Sequence, residues 1–251
     1  MGDMTKQVDE WVATRNRFVA FLDIMGFRDM VLRNTHESVL ETMELFQTAI
    51  KVIEEDAQKR LATLEKKPTA GEGMVGGSAT MPVFFSDSIL LVSQDDSIDS
   101  ASHLLFSAWW LWKVAICSGI PMKGAIAYGK QTANFDKSLY FGKPLIDAYE
   151  LQDELLLYGV VLHHTMEEYL IHNNIMRGFE DSSLHRYQAP LRNSMVFHYV
   201  MCWFSDDFSK GGSAESVVSR LYGTVSGAPR RYVDNTLEFL QSLAKKEGKA
   251  S

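Results

Sequence analysis

The sequence predicts an α+β fold built on a split βαββαβ unit, the ferredoxin-like arrangement of an antiparallel sheet with two helices on one face. Three observations predict it. A β-branched and aromatic run, Arg17 to Leu22, ends in a sharp turn and is followed by an amphipathic helical stripe. Two short apolar runs, MPVFF and SILLVS, then stand close enough to be the arms of a tight hairpin. A second helical stretch and another strand-like run, MKGAIAYG, complete the unit.

Each element has its own signal. The first strand runs into Asp23-Ile24-Met25-Gly26-Phe27, where glycine permits a turn. Asn34 with Glu37 reads as a helix start, and Val39, Met43, Phe46, Ile50 and Ile53 recur at three- and four-residue spacing, so a long amphipathic helix is expected. Lys66 to Thr80, rich in glycine and small polar residues, reads as a loop inserted into one domain. In the hairpin, Asp87 falls at or near the turn. Ser97 to Cys117 is helical in pattern and is stopped by Ser118, Gly119 and Pro121. Further on, the sequence predicts a strand at Leu139 to Phe141, a helix from Pro144 to Leu157 and a short strand from Gly159 to His163. A helix around Thr165 to His172 and an apolar edge strand from Met195 to Phe204 follow. The tail from Ala214 to Lys249 has helical stretches broken by Gly223, Gly227 and Pro229. A single domain spanning 1–251 is therefore expected, with its core at about 16–206, the loop at about 66–80 and the tail at about 212–249.

Composition narrows the function classes. With 46% hydrophobic and 23% charged residues the chain reads as an ordinary globule, which excludes disordered and collagen-like classes. Its longest apolar stretches fall far short of the roughly 20 residues that span a bilayer. No apolar run near the start could act as a secretory signal, and Cys117 and Cys202 make no disulfide framework, so a cytoplasmic protein is expected. A net charge of −7 and the lack of a Lys/Arg cluster speak against nucleic acid as a partner, since that binding draws on phosphate neutralisation. For the same reason an RNA-binding module on this topology, which needs a basic, aromatic sheet face, is disfavoured.

The chemistry concentrates in two acids. Asp23 follows five apolar strand residues and would be costly to bury without a partner. Asp87 on its own is explained by turn propensity. In the split unit, however, their two strands are neighbours in the middle of the sheet, so both carboxylates meet at one end of it. Hard divalent cations such as Mg²⁺ take oxygen ligands of this kind together with substrate phosphates, and paired ions activate an attacking hydroxyl and stabilise a leaving oxygen.

Phe21-Leu22-Asp23-Ile24-Met25-Gly26-Phe27 resembles the metal-binding strand and turn of class III nucleotidyl cyclases, and Phe85-Ser86-Asp87-Ser88 resembles their second metal-binding hairpin. The resemblance extends through Gly124 to Leu151 and covers about half of the chain. It implies the palm core of that family, with additional C-terminal strands and helices. It also implies two Mg²⁺ or Mn²⁺ ions held by Asp23, Asp87 and the backbone carbonyl of Ile24, with Gly26 and Phe27 cradling phosphates. A homodimer with composite active sites is implied as well.

This sequence departs from the purine-specific pattern. Val83 stands where those members carry a base-reading Lys or Glu, and Leu139 at a second base-reading position. Ile146 and Glu150 stand where an Asn and an Arg stabilise the transition state. Loss of the purine readers with both aspartates kept is similar to the bacterial pyrimidine cyclases of the Pycsar antiphage systems. These make cyclic UMP or cyclic CMP and signal to a separate cyclic-nucleotide-responsive effector. The expected substrate is thus a pyrimidine nucleoside triphosphate, UTP before CTP. A non-catalytic nucleotide-sensing domain, or a purine cyclase with atypical base recognition, is the alternative.

Replacement cations are sought by topology in Arg28, Lys123 and Lys130. Lys143 reads equally as a helix start, and Tyr140 as a core aromatic or a base-stacking ring. His163 and His164 are adjacent on a strand end and point to opposite faces, which disfavours a shared metal. Trp109, Trp110 and Trp112 span more than one face of their helix, so at least one is expected to leave its core-facing stripe, and a dimer contact is its simplest use.

Overall fold

In the computed structural model, which describes residues 11–64, 80–180, 183–202 and 213–247, the βαββαβ unit is present with one short helix added. β1 (Thr14–Ile24) leads through Gly26 into α1 (Phe27–Arg33) and then α2 (His36–Leu64). β2 (Thr80–Phe85) and β3 (Ser88–Ser93) form the hairpin, and α3 (Ile98–Cys117) returns the chain to β4 (Met122–Asn134). The four strands stand in the order β2-β3-β1-β4 with every pair antiparallel, so β1 and β3 are neighbours in the middle. β5 (Leu139–Gly142) pairs with the far half of β4 and opens into α4 (Lys143–Glu154). Then come β6 (Val160–Leu162), α5 (His164–His172), α6 (Met176–Glu180), β7 (Leu184–Pro190) and β8 (Met195–Met201). These strands extend the sheet beyond β4 in the order β6-β8-β7. α7 (Ala214–Ser219), a 3₁₀ turn at Arg220–Thr224 and α8 (Arg230–Glu247) complete the described chain.

The pleat divides the strands between two cores, because successive side chains point to opposite faces. Phe18, Ala20, Leu22 and Ile24 of β1 join Ile89 and Leu91 of β3 against Phe46, Ile50 and Ile53 of α2 and Leu104, Leu111 and Trp112 of α3. Val19 and Phe21 face the other way, with Leu90, Val92 and Val83, and meet Leu145 of α4. The Phe21 ring lies edge-on to Tyr149 of α4 at 5.4 Å. α2 and α3 therefore cover one face, as expected, and α4 lies on the other, the face that carries Asp23. At the far end of that face Arg17 is fully buried, its guanidinium donating to the carbonyls of Ser93, Gln94 and Val12 beneath the Trp11 ring.

Several expectations are corrected. The apolar run from Met195 is not an edge strand: β8 lies between β6 and β7, and β7 is the edge. β6 pairs with β8 at Val161 and Val200, so the apolar end of β8 is enclosed while Met195, Val196 and Phe197 remain exposed, and the mixed sequence LHRYQAP stands at the edge. Phe204 lies outside the described residues, as does Lys66 to Ala79 of the loop. Asn34 does not start a helix; it caps the end of α1 through its backbone N–H to Met30. Thr35 instead caps α2, its Oγ1 accepting from Ser38 N. Trp112 is buried and donates to the Met122 carbonyl, Trp110 donates to the Ala49 carbonyl of α2, and Trp109 is half-buried beneath Lys113. His163 serves as the N-cap of α5, its Nδ1 accepting from Thr165 N. No helix among the described residues is long and apolar enough to cross a membrane.

Candidate metal and nucleotide site

Residues directly opposite one another across a sheet share a face. By register, Phe85 of β2 faces Ser88 of β3, Ser88 faces Asp23 of β1, and Asp23 faces Lys123 of β4. One row at the sheet end therefore carries Phe85, Ser88, Asp23 and Lys123. Asp87 immediately precedes Ser88 in the hairpin turn, where Ser86 takes a left-handed φ of 57°. Ile24 N donates to the Asp87 carbonyl at 2.8 Å and ties the hairpin tip to the end of β1. Thus the structure brings Asp23 and Asp87 together at one end of the sheet, joined through the backbone of Ile24.

The electrostatics follow from that crowding. Burial pushes the Asp23 carboxyl up to about 6, and the charge of Asp87 adds to the rise; Lys123 opposes it and Asp153 reinforces it. Lys123 cannot fully neutralise the pair. It is only 3% exposed, and its Nζ donates to the carbonyls of Asp153 (3.1 Å) and Leu155 (3.3 Å) at the C-terminal end of α4. These are carbonyls that a helix end leaves without an internal partner. Burial also holds the Lys123 ammonium down at about 8, against the pull of Asp23 and Asp153. No group of three or more His, Cys, Asp or Glu that could by itself hold a metal ion occurs among the described residues. Two close carboxylates, one of them buried enough to resist ionisation, make a donor set that fits a hard divalent cation whose remaining ligands come from phosphate and water.

A pH dependence follows with a definite sign. Asp23 binds its proton more tightly folded than unfolded, so its contribution to stability is fully present below about pH 4 and is lost as pH rises through about 6. Measured without divalent ions, the melting temperature of Asp23→Asn minus that of the wild type should increase by a few degrees between pH 5 and pH 7.5. Millimolar Mn²⁺ should raise the wild type at pH 7.5 and leave Asp23→Asn unmoved. A difference that stays flat with pH would show that Asp23 ionises as freely as in a peptide.

The other anticipated residues are dispersed. Gly26 takes a left-handed φ of 75° as the N-cap of α1, a conformation glycine adopts without strain. Phe27 opens that helix and Arg28 is exposed on it. Lys130 pairs with Asn16, seven residues up β1 from Asp23, which is roughly 23 Å at 3.3 Å per residue. The structure does not bring it to this end of its own chain's sheet. Lys143 starts α4 and lies 3.9 Å from Asp147 one turn on. Tyr140 packs edge-on to Phe135 in the second core. Val83 faces Leu90 in that same core, whereas Leu139, Ile146 and Glu150 are exposed. The sequence did not point to Asp153 or Arg192, which stand beside Lys123; the only local signal, a charged residue at a helix end and another in a turn, is shared by many surface residues.

No protein-family model matches the chain, and no curated protein matches it. Solved structures do resemble it. The guanylate cyclase domain of RhGC from Catenaria anguillulae, solved in complex with GTP, aligns with a TM-score of 0.52 at 11% identity, covering 77% of this chain and 100% of that one. The adenylyl cyclase CyaB from P. aeruginosa aligns with a TM-score of 0.48 at 14% identity, covering 78% of this chain and 99% of that one. The first of these likenesses is one of fold: the α+β palm described above is the palm of class III nucleotidyl cyclase domains.

Proposed function

We propose that this chain is a nucleotidyl cyclase that converts a pyrimidine nucleoside triphosphate, UTP before CTP, into its 3′,5′-cyclic monophosphate and pyrophosphate. The observation that carries the reading is the meeting of Asp23 and Asp87 at the open end of a cyclase-type palm, with the Asp23 carboxyl raised by burial and by its neighbour. Asp23, Asp87 and the Ile24 carbonyl would hold two Mg²⁺ or Mn²⁺ ions, which supply Lewis acidity toward the ribose hydroxyl and neutralise triphosphate charge. Phe27 and Arg28, in the first turn of α1, offer backbone N–H groups that have no partner inside the helix. In the reaction the ribose O3′ bonds to the α-phosphorus, the α–β bridging P–O bond breaks, and the O3′ proton passes to solvent.

The apolar Val83 supports pyrimidine over purine, because it offers no group to a purine edge. A homodimer with composite sites is supported by exposed large side chains around the Asp23 face: Phe85 at 80%, Ile146 at 56% and Tyr149 at 51%. On this reading the cyclic product acts in antiphage signalling through a separate effector. Ile146 and Glu150 favour one second reading, a nucleotide-sensing domain that binds without turnover. Incubation with ATP, GTP, CTP and UTP in Mn²⁺, with products identified by mass spectrometry, separates the two. A cyclic pyrimidine monophosphate is expected; nucleotide binding without pyrophosphate release would establish the sensing domain instead.

A further inference from the structure

The geometry points to Arg192, in the turn between β7 and β8, as a residue that binds the phosphates of the nucleotide held at Asp23 and Asp87. The inference rests on the nucleotidyl cyclase reading and deepens it. A nucleoside triphosphate brings several negative charges to a place where two carboxylates already stand. The ammonium of Lys123 is committed to two carbonyls, Lys130 is at the other end of the sheet, and Ile146 and Glu150 offer no positive charge.

Arg192 reaches this place through a short chain of contacts. Asp23 faces Lys123 across the strands; Lys123 Nζ donates to the Asp153 carbonyl; and Arg192 Nη2 donates to Asp153 Oδ1 at 2.6 Å. The turn itself is fastened to the end of α4, with Arg192 N donating to the Glu154 carbonyl at 2.9 Å and Leu191 bridging Leu155. Its side chain is nevertheless 51% exposed, and that of Asp153 is 42% exposed. An ion pair so open to water is worth little, so a phosphate can take the guanidinium from Asp153 at small cost. The planar fork of arginine then suits phosphate oxygens as well as it suits the carboxylate. Arg231, exposed at the start of α8, adds positive potential, since its charge and that of Arg192 both bear on Lys123. At rest, therefore, Asp153 holds Arg192 beside the site, and the incoming nucleotide exchanges one anion for another.

The test is calorimetric titration of the full chain with inorganic pyrophosphate and with UTP in Mn²⁺, paired with steady-state turnover. Arg192→Gln should weaken pyrophosphate binding about tenfold, the loss of one charge-assisted hydrogen bond, and should raise KM. Arg192→Lys should recover part of it, and Arg186→Gln should change nothing. Asp153→Asn should tighten pyrophosphate binding, and that gain should vanish in the Arg192→Gln background, a coupling that a merely structural ion pair does not produce. If wild type and Arg192→Gln bind pyrophosphate equally while the wild type cyclises a nucleotide, this inference falls and the cyclase reading stands. If the wild type neither binds pyrophosphate or UTP in Mn²⁺ nor turns any nucleotide over, both fall.

Discussion

Asp87→Ala and Asp23→Asn are each expected to abolish cyclic nucleotide formation, by about a thousandfold or more, in a protein that remains folded. The magnitude follows from what each carboxylate holds: removing one preorganised charge contact to a reacting centre costs a hundred- to a thousandfold, and losing a cation that neutralises triphosphate charge adds to it. The fold survives because neither side chain holds the sheet together. Asp87 contributes its backbone carbonyl to Ile24 N, which alanine retains, and the Asp23 carboxylate has no hydrogen bond or ion pair to its oxygens among the described residues. Asparagine at 23 also removes a buried like-charge repulsion. Asp23→Asn should therefore melt higher than the wild type at pH 7.5 without divalent ions, while losing activity. A stability gain joined to an activity loss is the mark of a site that natural sequences keep at the expense of stability. Product formation by Asp23→Asn near the wild-type rate would sink the two-metal reading.

The palm was legible because its signals are local and strong. The run RFVAFL, the stripe from Val39 to Ile53 and the MPVFF/SILLVS hairpin each declare an element within a few residues, and their order leaves few topologies. With the topology came the neighbourhood of β1 and β3, hence the meeting of Asp23 and Asp87. What was not legible depends on contacts distant in sequence. α1 has no signal in the sequence because its seven residues, FRDMVLR, bury nothing completely. β7 gives no local signal because its sequence, LHRYQAP, is a mixed pattern, and without it nothing brings the turn holding Arg192 near Asp23, 169 positions away. Topology alone points to cations near the phosphate turn and at the ends of MKGAIAYGK. One of these, Lys123, does stand beside Asp23, but bonded to carbonyls of α4 in a way no sequence period reveals.

The close approach of β1 and β4 next to Asp23 makes Gly124→Ala a disruptive substitution. Gly124 sits in β4 opposite Leu22 of β1 and Val160 of β6. A Cβ there would lie 2.4 Å from Leu22 Cδ2 and 2.7 Å from the Phe21 carbonyl oxygen. The leucine methyl has nowhere to go, since Leu22 is fully buried in the main core, and the oxygen belongs to the backbone. The strands must part or bend, at a cost of about 3 kcal/mol, the upper end of the overpacking range. For a chain of this size that is a fall in melting temperature of roughly 6–12 °C. Gly178→Ala is the control, because a Cβ there meets nothing within 4 Å. Residue 23 follows Leu22 directly, so a displaced β1 also moves the carboxylate relative to Asp87. Gly124→Ala should consequently bind Mn²⁺ more weakly than the wild type even at temperatures where it is fully folded, whereas Gly178→Ala should bind it normally. A Gly124→Ala protein that melts with the wild type would mean that the two strands leave room for a methyl group, and the rigid spacing inferred for the aspartate pair would go with it.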